Sequence, residues 1–294
     1  MKYEGKMKSK TDEVMEKRPT PLRNFGTEYI KAFVSFIDIL GFRQIVADKR
    51  PKEINTLLDA VGFFSSQPEI RRAPYSKTKN LPMVLQFSDS IIRIQPLDQS
   101  DENISAMDLF DGELSSLLLA QGNLACNGVL VRGGLTFGDV CVQNNRVFGP
   151  AFNKAYHLES SLARYPRIIV DECLCAQNSC NPIIDLVGYH DWTSLAFHLY
   201  EYLERYDDGQ WGINYLPHLF MAHRDQAIKG IDVLMAHRDR LQQLVNNTTT
   251  NGNAEALIKV RWAASYHNRI VTKCFKGLYE RHEEAEDSLL VSID

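Results

Sequence analysis

The sequence lacks several features that would assign the protein to a specialised class. Its 294 residues contain no run of about 18 apolar residues, so no segment is predicted to span a membrane. The net charge of −4 leaves no basic excess of the kind that nucleic-acid-binding proteins carry. Residues 1–24 are polar and lysine-rich without an apolar core, unlike a secretory signal. We therefore expect a cytoplasmic protein with neither a membrane nor a nucleic-acid partner.

Cysteine is sparse and scattered along the chain. The six cysteines, in a sequence without an export signal, indicate reduced thiols rather than a disulfide framework. Cys173, Cys175 and Cys180 form a C-x-C-x4-C cluster that lacks the C-x2-C spacing of a zinc knuckle, and no histidine follows closely. We favour local packing over zinc binding for these residues. The hydrophobic content of 44% is ordinary for a globular protein with a sizeable core.

Apolar runs and turn residues predict mixed α and β structure in the first part of the chain. The predicted elements are a strand at 33–38, a helix from 40 to about 65 interrupted at Pro51, strands at 83–87 and 90–94, a helix at 101–122, strands at 129–136 and 139–142, a helix at 150–165 and a strand at 167–170. Together these elements give a β-α-β-β-α-β order, which is the ferredoxin-like split arrangement.

The second part of the chain is predicted to be mainly helical after one further hairpin. That hairpin pairs 197–205 with 210–216, and two amphipathic helices follow at 219–246 and 253–284, separated by a polar loop at 246–253. The predicted organisation is a flexible N-terminal arm (1–28), a main domain (29–217), a helical extension (218–284) and a tail (285–294) that we expect to fray.

Two aspartates at strand ends are the most informative residues. Asp38 ends the apolar run in FVSFIDILGF, and Asp89 lies at the tip of the hairpin in VLQFSDSIIRI. A carboxylate at the edge of a buried sheet is costly without a counter-ion, and two that converge would suit hard divalent cations such as Mg²⁺ or Mn²⁺. Because these cations act mostly through substrate phosphates, the pair indicates phosphoryl transfer. A helix cap at Asp38 and a plain turn at Asp89 are the alternatives.

Free backbone N–H groups and glycines near these residues suggest where phosphate would bind. Leu40, Gly41 and Phe42 open a helix, whose free N–H groups can receive phosphate oxygens, and Gly41 allows close approach. In the segment VRGGLTFG, the mid-strand pair Gly133-Gly134 predicts the close approach of another backbone or of a ligand. Arg132 beside this pair could hold phosphate or could form a salt bridge at the strand edge.

A third candidate group lies on the helix after Gly149. Asn153 and His157 are four residues apart and therefore share one helical face. They could form part of a site, or they could be a buried, hydrogen-bonded asparagine and a surface histidine.

Taken in order, these segments resemble the catalytic domain of the class III nucleotidyl cyclases. The resemblance rests on FxDILGF, then F-S-D at a hairpin tip, then R-G-G-x-x-x-G, and finally F-G-x-x-x-N-x-A-x-x-x-E. It covers roughly residues 30–216, and the chain looks like the pyrimidine cyclases of bacterial Pycsar anti-phage systems. The resemblance implies an α+β fold, a ferredoxin-like cyclase domain over 29–217 with an extra hairpin and a C-terminal helical extension.

The resemblance also implies roles for individual residues. Two Mn²⁺ or Mg²⁺ ions per site would be held by Asp38, Asp89 and the backbone carbonyl of Ile39. Asn153 would steady the ribose and the transition state from the opposite subunit, so the resemblance implies a homodimer with active sites at its interface. Leu40, Gly41 and Phe42 would then contact the triphosphate of a nucleotide substrate.

Three departures from the family pattern bear on the substrate. His157 stands where purine cyclases carry an arginine, so His157 or Arg132 would have to meet the transition-state charge. The base-reading positions fall on Leu85 or Gln86 and on Arg146, which match neither the adenylyl nor the guanylyl pattern. Arginine and glutamine donors suit the carbonyl acceptors of uracil better than the amino group of cytosine.

The resulting expectation is a cyclase that converts a pyrimidine nucleoside triphosphate, UTP before CTP, to its 3′,5′-cyclic monophosphate and pyrophosphate. The product would be a second messenger in anti-phage defence. Three alternatives stay open: a cyclase-like module that binds a nucleotide without turnover, a purine cyclase, and a structural interaction protein on the same topology.

Overall fold

The computed structural model describes residues 27–65, 82–97, 105–143, 146–175, 181–182, 202–223, 230–279 and 289–293. Nearly all of the predicted N-terminal arm lies outside these residues, as does Cys180. The other five cysteines are free thiols. None of the helices in the described ranges combines the length and the apolar character that crossing a membrane requires.

The described elements alternate between strands and helices as far as residue 213 and are helical thereafter. The strands are β1 (Ile30–Ile39), β2 (Met83–Phe87), β3 (Ser90–Pro96), β4 (Val131–Gln143), β5 (Arg146–Phe148), β6 (Ile168–Val170), β7 (Leu203–Arg205) and β8 (Trp211–Ile213). The helices are α1 (Phe42–Asp48), α2 (Pro51–Ala60), α3 (Ala106–Cys126), α4 (Pro150–His157), α5 (Glu172–Cys175), α6 (Tyr215–His223), α7 (Gly230–Thr250) and α8 (Ala254–Tyr279). A 3-10 turn (Val61–Ser65) follows α2, and a π-turn (Leu158–Leu162) extends α4.

The strands form one mostly antiparallel sheet, in agreement with the predicted mixture of strands and helices. Its order is β2-β3-β1-β4-β6-β8-β7, with β5 paired to β4 outside this path. β1 is flanked by β3 and β4 and is antiparallel to both, whereas β4 and β6 run parallel. The central position of β1 holds its C-terminal end, and thus Asp38, between two neighbouring strands.

Two predicted boundaries in this region are wrong. The strands expected at 129–136 and 139–142 are one continuous strand, β4, because its residues from Val131 to Val140 all pair with β1. The helical extension begins at Tyr215 rather than at residue 218. The predicted second hairpin is present in its described part as the antiparallel pair of β7 and β8.

Alternation along β1 sends its side chains to two different helical layers. Phe33 faces α3, where its ring stacks on Phe110 with the centroids 5.2 Å apart. Phe36 faces the opposite side, where it meets Phe152 of α4 edge-on at 5.9 Å. The larger core lies on the α3 side, and the α4 side holds a smaller one. Asp38 follows the same alternation and belongs to the α4 side.

Helices α6 and α7 pack on α3, α8 packs on α7, and all three helices share the core of α3. Leu234, Leu241 and Val260 are buried in the same cluster as Phe110 and Ile37. The extension therefore closes the outer surface of α3 with apolar contacts, the interaction that contributes most to stability per unit of buried area.

The polar run at 246–253 is mostly helix, so the predicted loop is wrong for its first five residues. The hydroxyl groups of Thr248, Thr249 and Thr250 each donate to a backbone carbonyl one turn earlier, at distances of 2.7, 2.8 and 2.9 Å. The helix thus supplies the hydrogen bonds that these side chains otherwise seek in loops. α7 ends at Thr250 and is followed by Gly252, whose φ of 66° is the left-handed conformation typical of a glycine after a helix.

The C-terminal segment 289–293 is packed, so the prediction that the whole tail frays is wrong for these residues. Leu289 and Val291 are buried. Asn268 of α8 donates to the carbonyl of Val291 and accepts from its amide, at 2.9 and 2.8 Å. Gln242 of α7 accepts from the amide of Ser292 at 2.8 Å. The amide side chains of two helices therefore bind the backbone of this segment.

A buried chain of hydrogen bonds crosses the same helices. It joins the Tyr215 hydroxyl to His237 Nε2 at 2.9 Å, His237 Nδ1 to His267 Nδ1 at 2.8 Å, and His267 Nε2 to the carbonyl of Leu289 at 2.9 Å. Since a carbonyl only accepts, His267 Nε2 carries a proton, and its Nδ1 accepts from His237 when the ring is neutral. His237 Nε2 must then accept from Tyr215. One tautomer of each neutral ring thus provides a donor and an acceptor for every hydrogen bond in this series.

Acidification should weaken the helical extension because both rings are buried as neutral groups. Burial lowers the pKa of His237 well below its ordinary value and that of His267 to about 4. Below pH 6.5 the two histidines therefore bind protons in the unfolded chain but stay neutral in the folded chain. The free energy of unfolding decreases as the pH falls from 6.5 towards 4. For His267 alone the loss is roughly 3 kcal/mol.

Urea unfolding at pH 7.5 and at pH 5 measures this effect. The wild-type chain should lose more stability between these conditions than His267→Gln, which cannot take up the proton. His157→Gln, at an exposed position, should behave as the wild type does. Equal pH dependence in His267→Gln and the wild type would contradict the assignment.

Candidate active site

Asp38 lies at the C-terminal end of β1, between the two neighbouring strands. It is opposite Ser90 of β3 on one side and opposite Arg132 of β4 on the other. Its side chain does not cap α1, since the N-cap of that helix is Gly41, with φ at 75°, and no side chain caps it. Of the two sequence-based interpretations, the helix-capping role is therefore wrong.

Asp89 lies in the tight turn between β2 and β3, next to the end of β1. Among the described residues Ser88 is the one non-glycine residue with a positive φ, 58°, a conformation sparsely populated by residues with a side chain. The Asp89 carbonyl accepts from the Ile39 amide at 3.1 Å, so the hairpin tip is bonded directly to the strand that carries Asp38. The role predicted for the carbonyl of Ile39 is a separate matter and stays a prediction.

The two aspartates influence each other's ionisation. Burial raises the pKa of Asp38, and the negative charge of Asp89 raises it further; the two carboxyl groups are close enough to share a hydrogen bond when one is protonated. The Arg132 guanidinium opposes these effects and lowers the pKa of Asp38 in part. The structure thus brings together the two aspartates that the sequence singled out.

Arg132 lies between two carboxylates. Its Nε donates to Asp38 Oδ2 at 3.3 Å and lies 2.8 Å from Glu159 Oε1. Of the two roles open at the sequence level, the structure shows the salt bridge. Glu159 is almost completely buried, with 3% of its side chain exposed. Burial raises the pKa of Glu159 to about 7; Arg132 opposes this shift, and the negative charges of Asp38 and Asp89 add to it.

Glu159 was not identified as a site residue from the sequence, although it closes the F-G-x-x-x-N-x-A-x-x-x-E motif. It reaches the site because the π-turn after α4 packs directly on β4 at Gly134. A Cβ atom at residue 134 would lie 2.7 Å from the Ala155 carbonyl oxygen and 3.0 Å from the Glu159 amide nitrogen. The predicted close approach of another backbone at the glycine pair is therefore confirmed.

The predicted phosphate-binding backbone is only partly available. The Leu40 amide already donates to the Leu130 carbonyl at 2.9 Å and is not free to donate to a phosphate oxygen, while the contact of Leu40 with the triphosphate stays a prediction. Gly41 and Phe42 lie at the start of α1, where N–H groups have no acceptor within the helix. The buried Phe42 side chain anchors this turn in the core.

The remaining predicted residues lie apart from the aspartates and are not all on one side of the sheet, since Leu85 packs on the α4 side and its neighbour Gln86 therefore points to the other. Asn153 and His157 lie on α4 and are both exposed, as the one-turn spacing predicts for a shared face. Arg146 lies on β5, which pairs with the far end of β4 from Arg132. Gln86 is exposed on β2 near the hairpin tip, and Leu85 is half-buried. Within the described part of the chain, none of these residues joins the group formed by Asp38, Arg132 and Glu159.

The carboxylates fit a divalent cation in their chemistry. Asp38 and Asp89 present hard oxygen donors, and their mutual repulsion is relieved by a cation placed between them. No group of three or more histidine, cysteine, aspartate or glutamate side chains in the described residues has the arrangement of a metal site. A cation held by these two aspartates would need backbone or substrate oxygens to complete its ligands.

Comparisons with known proteins find little. No protein-family model matches the chain, and no curated protein matches it either. Among solved structures, one similar chain is the catalytic core of a rhodopsin-guanylyl cyclase with converted specificity in complex with ATPαS. The identity is 16% and the TM-score is 0.34, over 54% of this chain and 82% of that one. A likeness of this extent does not establish a family for the chain.

Substitution of Gly134 tests how the site is built. Gly134→Ala places a methyl group against the backbone of α4 and the π-turn, so we expect a loss of about 1–3 kcal/mol in stability. Thermal unfolding measures the loss. Gly62→Ala is the matched control, since a Cβ there meets nothing within 4 Å. Equal melting temperatures for the two variants would contradict the close approach at Gly134.

Proposed function

We propose that this chain is a class III nucleotidyl cyclase that acts on a pyrimidine nucleoside triphosphate, UTP before CTP. The observation that carries the proposal is the pair of aspartates at the end of the central strand, where neighbouring negative charge and burial both raise the pKa of Asp38. A ferredoxin-like core is supported by the order of the elements along the chain, which is β1, α1 and α2, β2, β3, α3, β4. It is also supported by their order in the sheet, β2-β3-β1-β4. The proposed role in anti-phage defence rests on the sequence resemblance.

The residues of this chain would place the nucleotide for an in-line reaction. Asp38 and Asp89 would hold the divalent cations, and the Gly41 and Phe42 amides would receive phosphate oxygens at the start of α1. When bound, such cations lower the pKa of the ribose 3′-hydroxyl and stabilise the leaving pyrophosphate. Holding the 3′-oxygen against the α-phosphorus contributes roughly 7–11 kcal/mol in well-oriented systems.

The α4 side of the sheet supports the proposal of a homodimer. Two aromatic side chains are exposed there: Tyr156 of α4, at 51%, and Phe87, at 81%, which the alternation from Leu85 places on this side. Exposed apolar groups clustered on one side of a protein mark an interaction surface. Asn153 and His157 are exposed on the same side, so a second copy could receive them near its own aspartates, where they would orient the ribose and meet the transition-state charge.

The choice of base follows from the residues near the hairpin tip and on β5. Gln86 and Arg146 are both exposed and offer hydrogen-bond donors, which suit the two carbonyl oxygens of uracil. In one chain they are far apart, because Arg146 pairs at the opposite end of β4 from Arg132. Reading one base with both residues therefore also requires two copies of the chain.

Incubation with each of the four nucleoside triphosphates and Mn²⁺ tests the proposal. We expect release of pyrophosphate and a cyclic monophosphate, fastest with UTP. Products from ATP or GTP alone would favour a purine cyclase. No pyrophosphate with any nucleotide, together with a persistent thermal shift, would favour a binding module without turnover. The absence of both effects would favour a structural protein.

Removing either aspartate should abolish cyclisation and leave the fold intact. Asp38→Asn and Asp89→Asn keep the size of each side chain but remove the charge that would hold a cation, so we expect activity to fall to background with little change in melting temperature. Asp139→Asn is the control, because Asp139 forms a surface ion pair with Lys31 on the same sheet, 3.0 Å apart. Residual activity in Asp38→Asn near the wild-type level would rule out its proposed role.

A shared active site predicts complementation between inactive variants. Asp89→Ala and Asn153→Ala should each be inactive, since each homodimer lacks one half of every site. A mixture should regain activity, because a mixed dimer has one site with both residues intact. Size-exclusion chromatography first establishes that each variant is dimeric. A mixture of exchanging dimers without recovered activity would argue against a site shared between subunits.

A further inference from the structure

The second carboxylate beside Arg132 is the feature that the proposed function does not use. Arg132 Nε hydrogen-bonds to Asp38 at 3.3 Å, yet Glu159 Oε1 is closer, at 2.8 Å. The direction of the N–H bond does not meet Glu159, and this buried Oε1 atom accepts no hydrogen bond. One donor thus has two acceptors within reach, and one of them is unused.

The unused acceptor matters because Arg132 and a divalent cation compete for the same carboxylate. A guanidinium that pairs with Asp38 neutralises the charge that a cation needs, and the two positive groups repel each other strongly in a partly buried site. Without another counter-ion, Arg132 would have to be desolvated or displaced whenever a cation bound. Glu159 provides that counter-ion, since its Oε1 already lies 2.8 Å from Arg132 Nε.

The position of Glu159 is fixed by backbone packing rather than by its own side-chain contacts. The π-turn that carries it is closed by the Ala163 amide, which donates to the Leu158 carbonyl at 2.8 Å. The same turn rests on Gly134, the residue two positions from Arg132 on β4. A π-turn within a helix is uncommon and often lies at a functional site. The packing of the π-turn on β4 at Gly134 therefore holds Glu159 next to Arg132.

We infer that Glu159 is a positioning residue that takes over the Arg132 guanidinium when Asp38 binds a divalent cation. Arg132 then has two arrangements: without a cation its Nε–H donates to Asp38 while Glu159 lies beside it as an ion-pair partner, and with a cation bound the Nε–H donates to Glu159. The inference rests on the proposed cation-binding role of the aspartates. It assigns to Glu159 a function that a purely structural ion pair would not have, namely control of cation affinity.

Direct binding of Mn²⁺ to the full-length chain, followed by the electron paramagnetic resonance of free Mn²⁺, tests the inference without relying on turnover. Glu159→Gln leaves Arg132 with no counter-ion but Asp38, so we expect affinity to fall by about tenfold or more. The double variant Arg132→Gln/Glu159→Gln removes the competing charge as well and should recover most of the loss. Arg132→Gln alone should bind Mn²⁺ at least as tightly as the wild type.

A matched control separates this effect from a general loss of an ion pair. Glu204→Gln breaks the pair with Arg269, which joins β7 to α8 away from the aspartates, and should leave Mn²⁺ affinity unchanged. Unchanged affinity in Glu159→Gln, or a double variant as weak as Glu159→Gln, overturns the inference while the proposed function stands. Should Glu159→Gln fail to fold, weakened binding in Arg132→Gln overturns it equally. A wild-type chain that binds no Mn²⁺ overturns both.

Discussion

The carboxyl groups of Asp38 and Glu159 share the Arg132 guanidinium at the end of the central strand, and this shortage of positive charge governs the region around it. Burial raises the pKa values of both groups, and the negative charge of Asp89 raises both further. A protein that needed only a stable fold would gain from replacing such groups with apolar ones. Negative charge concentrated beside a strand end is instead the arrangement that binds cations and the phosphates they carry.

The sheet keeps these groups together because each comes from a different element with little freedom. β1 carries Asp38 between β3 and β4, and the Ile39 amide binds the carbonyl of Asp89. β4 carries both Arg132 and the glycine on which the π-turn packs. Because the carboxylates are held by backbone pairing and close packing, their repulsion cannot be relieved by moving apart. The Arg132 guanidinium relieves it in part, and protonation or a bound cation would relieve the rest.

The sequence predicted the parts of this site that depend on local patterns. Asp38 and Asp89 were identifiable because each follows an apolar strand, and Gly134 because glycine in a strand indicates close approach. Glu159 was not, since nothing local separates a buried glutamate on a π-turn from a surface one on a helix. Leu40 was assigned a phosphate role because its sequence position does not reveal that its amide pairs with Leu130.

Two segments elsewhere in the fold were also predicted wrongly from the sequence. Composition indicated a loop at 246–250, but threonine hydroxyls that bond to the preceding helical turn make that segment helical. The segment 289–293 read as a frayed tail, yet Asn268 and Gln242 bind its backbone from two different helices. Contacts between distant parts of the chain decide the second case, and local patterns carry no information about them.

The helical extension is joined to the sheet by an aromatic cluster, which links it to the site. Arg167 lies over the rings of Tyr206 and Trp262, with its Cζ atom 4.8 and 5.8 Å from their centroids, and it pairs with Asp208 of the turn between β7 and β8. Trp262 also stacks on Tyr165 at 5.4 Å. The Glu255 pKa at the start of α8 is lowered first by a hydrogen bond from Lys259 and further by the charge of Arg132. The first turn of α8 thus lies within the electrostatic reach of Arg132. Because the partly buried rings of Tyr165, Tyr206 and Trp262 hold α8 beside the sheet, a shift of the extension would change the position of Glu255 relative to Arg132.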